Sequence, residues 1–177
     1  EPAPTSQPLV SRMMQSIAPM TEAGHRGAPF PDGIVTLMIK NIPDKYNLKA
    51  LLVEIGEHCD LRYCDMLHLP SNEKRRCNVG YAFINFTCSL AAERCWAAMS
   101  LRSWSLAQRQ KRCAICAAHL QGISSNLSNF VLSNEKSRFQ PPNAPVVFSN
   151  SQPLNFFQAV RRHCDEPVVR EMLRKCG

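Results

Sequence analysis

Apolar and polar residues alternate from Val35 to Lys40. Val35, Leu37 and Ile39 fall on one side and Thr36, Met38 and Lys40 on the other, the period of a half-buried strand over 35–41. Pro43-Asp44-Lys45-Tyr46-Asn47 reads as a turn. Leu48, Leu51, Leu52 and Ile55 then recur at helical spacing, so a helix is expected over 48–58. A second strand is expected over 63–69, stopped by Pro70, and a loop over 71–78 leads into a third strand ending at Phe86. Ala91, Cys95, Ala98 and Met99 supply the packing stripe of a second helix over 90–99, with Ser89 as its N-cap. A fourth strand follows over 111–118. Beyond Gly122, the spacing of Ile123, Leu127, Phe130 and Val131 predicts a third helix, and Pro141-Pro142 closes that region.

Strand, helix, strand, strand, helix, strand is a compact α+β order of the ferredoxin-like βαββαβ type. It predicts a four-stranded antiparallel sheet backed by two helices, with a C-terminal helix in addition. The expected divisions are a leader over 1–32, rich in Pro and Ser without apolar period, a folded unit over 33–122, a helical extension over 123–148, and a tail over 149–177 for which helix is one option. The third helix must place its apolar side on some surface. It is expected beside the sheet, or only partly across it.

The third strand carries the most specific signal. In Val79-Gly80-Tyr81-Ala82-Phe83-Ile84-Asn85-Phe86, alternation puts Tyr81, Phe83 and Asn85 on one face and Ala82, Ile84 and Phe86 on the other. The aliphatic set suits a core against helices. Two rings are then left on an open sheet, where an unstacked base can lie flat at a gain of about 1–3 kcal/mol per base. The octamer fits the motif that RNA recognition motifs (RRMs) place on a central strand, apart from Val79, which stands where a cation is usual. Leu37-Met38-Ile39-Lys40-Asn41-Ile42 resembles the hexameric partner motif on the first strand. Met38 replaces the usual ring there and predicts weaker stacking.

A narrower resemblance rests on Met38 to Tyr46, on Cys77-Asn78-Val79-Gly80-Tyr81-Ala82-Phe83-Ile84-Asn85-Phe86, and on Gln121-Gly122. Together these are similar to the C-terminal RRM of the Mei-two-like family, RNA-binding regulators of meiosis and development, over roughly residues 36–148. The resemblance accounts for Val79 and Met38, since that family carries apolar residues at both places. It implies a single-stranded RNA-binding module of a post-transcriptional regulator, with no catalysis and no cofactor. Tyr81 and Phe83 are the expected stacking platform and Met38 a softer third contact. Lys40 and the Lys74-Arg75-Arg76 loop are expected to meet phosphates, Asn85, His68 and His119 to read base edges, and Lys45 and Tyr46 to border the same face through the first loop, Tyr46 either packing beneath that loop or touching RNA. Two strands depart from the family pattern: Cys64, Met66 and His68 on the second, and the small Ala114, Cys116 and Ala118 on the fourth. These depleted faces favour the alternative, an RRM-fold protein-interaction domain whose sheet is covered by the helix near 123–131 or by a partner peptide.

Charge supports a polyanionic partner, because the formal net charge is +7 with a pI near 9.1. Besides the 74–76 loop, basic residues cluster at Arg109 with Lys111-Arg112, at Arg161-Arg162, and at Arg170 with Arg174-Lys175. The 9 cysteines are an odd number scattered through the expected elements, which argues against a disulfide scaffold and for a reducing compartment, nucleus or cytoplasm. Cys113 and Cys116 have the spacing of a metal knuckle, but on a strand they would point to opposite faces, so no metal is expected. No apolar run approaches the roughly 18–20 residues that span a bilayer, so no membrane partner is expected.

Overall fold

The computed structural model of the chain describes residues 30–107 and 111–177. The expected leader, up to residue 29, and Arg109 lie outside these residues. The expected elements form in the expected order: strand β1 (Thr36–Lys40), helix α1 (Leu48–Gly56), strand β2 (Cys64–His68), a small hairpin of β3 (Ser71–Asn72) and β4 (Cys77–Asn78), strand β5 (Tyr81–Phe86), helix α2 (Ser89–Met99) and strand β6 (Ala114–Ala117). Beyond them come helix α3 (Ile123–Ser133), strands β7 (Val146–Ser149) and β8 (Gln152–Leu154), and helices α4 (Phe156–His163) and α5 (Glu166–Cys176).

Asn47 starts α1 by accepting a hydrogen bond from the Ala50 amide through its side chain. At α2 the expected cap moves by one place. Cys88 occupies the cap position without a side-chain bond, and Ser89 is the first helical residue. The expected loop over 71–78 contains the β3–β4 ladder, pairing Ser71 with Asn78 and Asn72 with Cys77.

The strands pair antiparallel in the order β6-β1-β5-β2-β7-β8, so the four expected strands form the centre and the β7–β8 hairpin extends the sheet beyond β2. Leu37 lies opposite Ile84 and Ile39 opposite Ala82, all fully buried on the helix side. With Leu51, Ile55, Leu67, Cys95 and Met99 they make the core expected from period-2 and period-3.6 patterning.

A second core occupies part of the other face. Leu127, Phe130 and Val131 of α3, together with Phe139, Phe156, Val160 and Met172 from later segments, pack on Met66 and Val147 of the sheet. The sheet is therefore a layer between two apolar clusters over its β2 half. The seat of α3 is fixed by Gln121: its side-chain oxygen accepts from the amides of Val35 and Thr36, at 2.8 and 2.9 Å, and its side-chain nitrogen donates to the carbonyls of Thr36 and Ala118. Gly122 follows at φ +88°, a conformation that favours glycine, and its amide donates to Thr36 Oγ1.

Candidate nucleic-acid interface

Register divides the face opposite α1 and α2 into three rows. The first runs Ala114, Lys40, Tyr81, the second Cys116, Met38, Phe83, His68, and the third Thr36, Asn85, Met66, Val147. A bulge between Cys64 and Met66 turns Cys64 to the helix side opposite Phe86, so of the three residues expected on this face of β2 only Met66 and His68 are there.

The third row is closed, with Thr36, Asn85, Met66 and Val147 at 0–2% exposure. Two expected base readers are thereby committed elsewhere. Asn85 donates to Asp65 Oδ1 at 2.7 Å and accepts from the Thr36 hydroxyl, leaving its amide no free edge. His68 donates through Nε2 to the Asn143 carbonyl at 3.2 Å, its ring lies 5.1 Å edge-on from that of Phe130, and burial pushes its pKa down to about 4. It is a partly buried residue, neutral at pH 7, with Nε2 committed to the Asn143 carbonyl. Met38, only 3% exposed, is also closed off, which corrects its expected role as a stacking contact.

The first row is open. Tyr81 is half-buried, Lys40 lies beside it with Ala114 on the strand beyond, and the Tyr81 and Phe83 rings meet edge to face at 5.7 Å. Partial burial raises the Tyr81 pKa, so the phenol remains protonated at neutral pH. Phe83 has a double allegiance: one side packs on the second core, yet the ring is still partly exposed. Gly80 enters the row at φ +93°, with its carbonyl accepting from Ile42 at 3.0 Å.

Topology brings cations to this same end of the sheet. The chain leaves β1 here toward Lys45, enters β5 here from the β3–β4 hairpin, and enters β6 here from Lys111 and Arg112. Lys45, Lys74, Arg75, Arg76, Lys111 and Arg112 are all exposed. The 73–76 tip is ordered, because Asn72 accepts from the Arg75 amide through its side chain and from the Arg76 amide through its carbonyl. Glu73 pairs with Arg138 at 3.3 Å, tying the tip to the extension. His119 does not join this group. It follows β6 at the opposite end, beside the Ala118 amide that donates to Thr36.

Lys111 and Arg112, expected from the sequence only as one basic cluster among several, lie at this end because β6 pairs beside β1. Tyr46, which borders the first loop, is 2% exposed and gives its hydroxyl proton to Glu54 at 2.7 Å, with burial, then that bond, raising its pKa to about 12. Among the described residues, no group of three or more His, Cys, Asp or Glu side chains is placed to hold a metal ion. No described helix is long and apolar enough to cross a membrane.

An aromatic pair on the central strand of an antiparallel sheet of order β6-β1-β5-β2, with cations at its end, is the arrangement of an RRM, and the family model for RNA recognition motif 2 matches residues 34–131. The chain belongs to that family. Its relatives include the protein MEI2-like 4 of Arabidopsis thaliana, 39% identical over 125 residues, covering 69% of this chain and 13% of that protein. Protein terminal ear1 homolog of Oryza sativa subsp. indica is 33% identical over 144 residues, covering 71% and 21%. The domain is thus a Mei-two-like RRM, and it spans only a small part of the curated relatives it matches. Among solved structures, the second RRM domain of the yeast poly(U)-binding protein Pub1 is similar, with TM-score 0.38 and 15% identity over 50% of this chain and 99% of that one.

Proposed function

We propose that this domain binds single-stranded RNA at the open end of its sheet, without catalysis, as the RNA-contacting part of a post-transcriptional regulator in the nucleus or cytoplasm. The observation that carries the reading is the first row: the half-buried Tyr81 beside Lys40, with Ala114 beyond it, at the end of the sheet where Lys45, Lys74, Arg75, Arg76, Lys111 and Arg112 are exposed. One base stacks on Tyr81, the free edge of Phe83 and the small Cys116 accept its neighbour, and the rim meets the phosphates. Small side chains at Ala114 and Cys116 leave floor space rather than an added ring. The nine free cysteines accord with a reducing compartment. Membership of the Mei-two-like family is what the proposal of a regulatory role for the longer protein rests on.

Fluorescence anisotropy with a mixed-sequence single-stranded RNA pool tests the reading. Saturable, salt-sensitive binding that Tyr81→Ala weakens is the expected result. Equal binding by wild type and Tyr81→Ala would contradict it.

A further inference from the structure

Beyond β2, the extension leaves a cleft of about 180 Å³ lined by Phe139, Gln140, Pro141, Pro153, Leu154 and Phe157 among others. Phe139 is buried, Phe157 is partly exposed, and Phe156 meets both, with ring centres 5.5 Å and 6.2 Å away. Sites for drug-sized ligands run to roughly 300–1,000 Å³, whereas an apolar cavity of about 150 Å³ takes a single benzene ring. The cleft is therefore sized for one planar ring.

Register puts it at the same end of the sheet as Tyr81. Antiparallel pairing makes β2 leave, β7 enter and β8 leave at the end where β5 enters, with His68 opposite Phe83, Leu67 opposite Val146, and Val147 opposite Leu154. Phe139 and Phe156 belong to the second core, on the sheet face that carries Tyr81. From β5 to β8 is three strand spacings, about 14 Å, a distance that a few nucleotides cover. The hairpin that connects β2 to β5 emerges at this end with the exposed Lys74, Arg75 and Arg76. The segment that carries the cleft is fastened to that hairpin: the Ser71 hydroxyl donates to Asn143 Oδ1, and Arg138, which precedes Phe139, pairs with Glu73 at 3.3 Å.

We propose that this cleft is a second base subsite, taking one unstacked base of the same single strand that stacks on Tyr81. The proposal rests on the RNA-binding reading of the first row and adds to it a contact outside the βαββαβ unit. Gln140 supplies what a plain apolar slot lacks. It is exposed, and its side-chain amide makes no hydrogen bond among the described residues, so it offers a donor and an acceptor to a base edge. A proline or aromatic side chain of a protein partner would fill the same volume, but the cations of the adjoining hairpin favour an occupant that carries phosphates.

Photocrosslinking of the full chain to mixed-sequence single-stranded RNA of about ten nucleotides, with 4-thiouridine at random positions and peptide mapping as the readout, tests this. Crosslinks are expected on two peptides, one carrying Tyr81 and one carrying Phe139, Gln140 and Phe157. Phe157→Ala should lose the second crosslink, keep the first and lower affinity about tenfold. Gln140→Ala, at an exposed position, should lower affinity by a smaller factor without moving the melting temperature. Crosslinks at Tyr81 alone would overturn this inference and leave the RNA reading standing, whereas no crosslink and no saturable binding would overturn both. Unchanged RNA affinity in a folded Phe157→Ala would also overturn it and leave the cleft to a protein side chain. If Phe157→Ala fails to fold, the wild-type crosslink map decides.

Discussion

Tyr81 and Phe83 are neighbours with the same backbone conformation and different surroundings, so they should fail in different ways. Tyr81 stands in the open row, whereas Phe83 also packs on the second core. Tyr81→Ala is predicted to weaken RNA binding by about 1–3 kcal/mol with little change in melting temperature. Phe83→Ala should weaken binding and also lower stability, since it leaves a void beside the His68 ring and against the second core. Titration and thermal melting of both variants check the pair. His68 offers a pH test. Its pKa falls from 6.5 to about 4 in the fold, so below pH 6.5 the unfolded chain takes up a proton that the folded chain refuses. Its effect is absent above pH 6.5, destabilises progressively as pH falls toward 4, and totals on the order of 3 kcal/mol. Melting curves across that window should be flatter for His68→Phe than for wild type, and parallel curves would refute the burial of His68.

At the scale of elements, the βαββαβ centre was legible because each strand and helix carries its own period. Leu48, Leu51, Leu52 and Ile55 announce α1, and Tyr81 to Phe86 announce β5, within a few residues. The closure of the sheet face was not, because alternation says which residues share a face and nothing about what arrives from far along the chain to cover it. Asn85 reads as an open base reader until Thr36, Asp65 and the seat of α3 are in place. β7 and β8 are short, Pro153 interrupts the latter, and neither has a period long enough to register. The expectation that α3 lies beside the sheet or partly across it resolves to the second arrangement, across the β2 half. Lys175 of α5 holds it there, donating to the carbonyls of Val131, Leu132 and Asn134 at 3.0, 3.2 and 2.9 Å. Lys175→Met should cost about 1–3 kcal/mol by leaving those carbonyls unpaired, and hydrogen exchange should quicken over 123–133. RNA affinity should stay unchanged, because the rows under α3 are not part of the site; tighter binding would show that they are.

For the whole molecule, a net positive chain and a local cationic rim act together. Binding should weaken with salt at a logarithmic slope near −0.7 per phosphate neutralised on a single strand. Replacing Lys74, Arg75 and Arg76 by Gln should flatten that slope, and an unchanged slope would mean that the hairpin tip stands clear of the RNA. The central claim is narrower, that RNA occupies the open end of the sheet while the extension stays in place. Amide chemical shifts of the full chain, followed by NMR during titration with single-stranded RNA, test it most directly. Saturable shifts are predicted at Lys40, Tyr81, Phe83, Ala114 and Cys116, with Met66, His68, Phe130 and Val147 unmoved. Shifts concentrated on that second group, with Tyr81 silent, would contradict the claim.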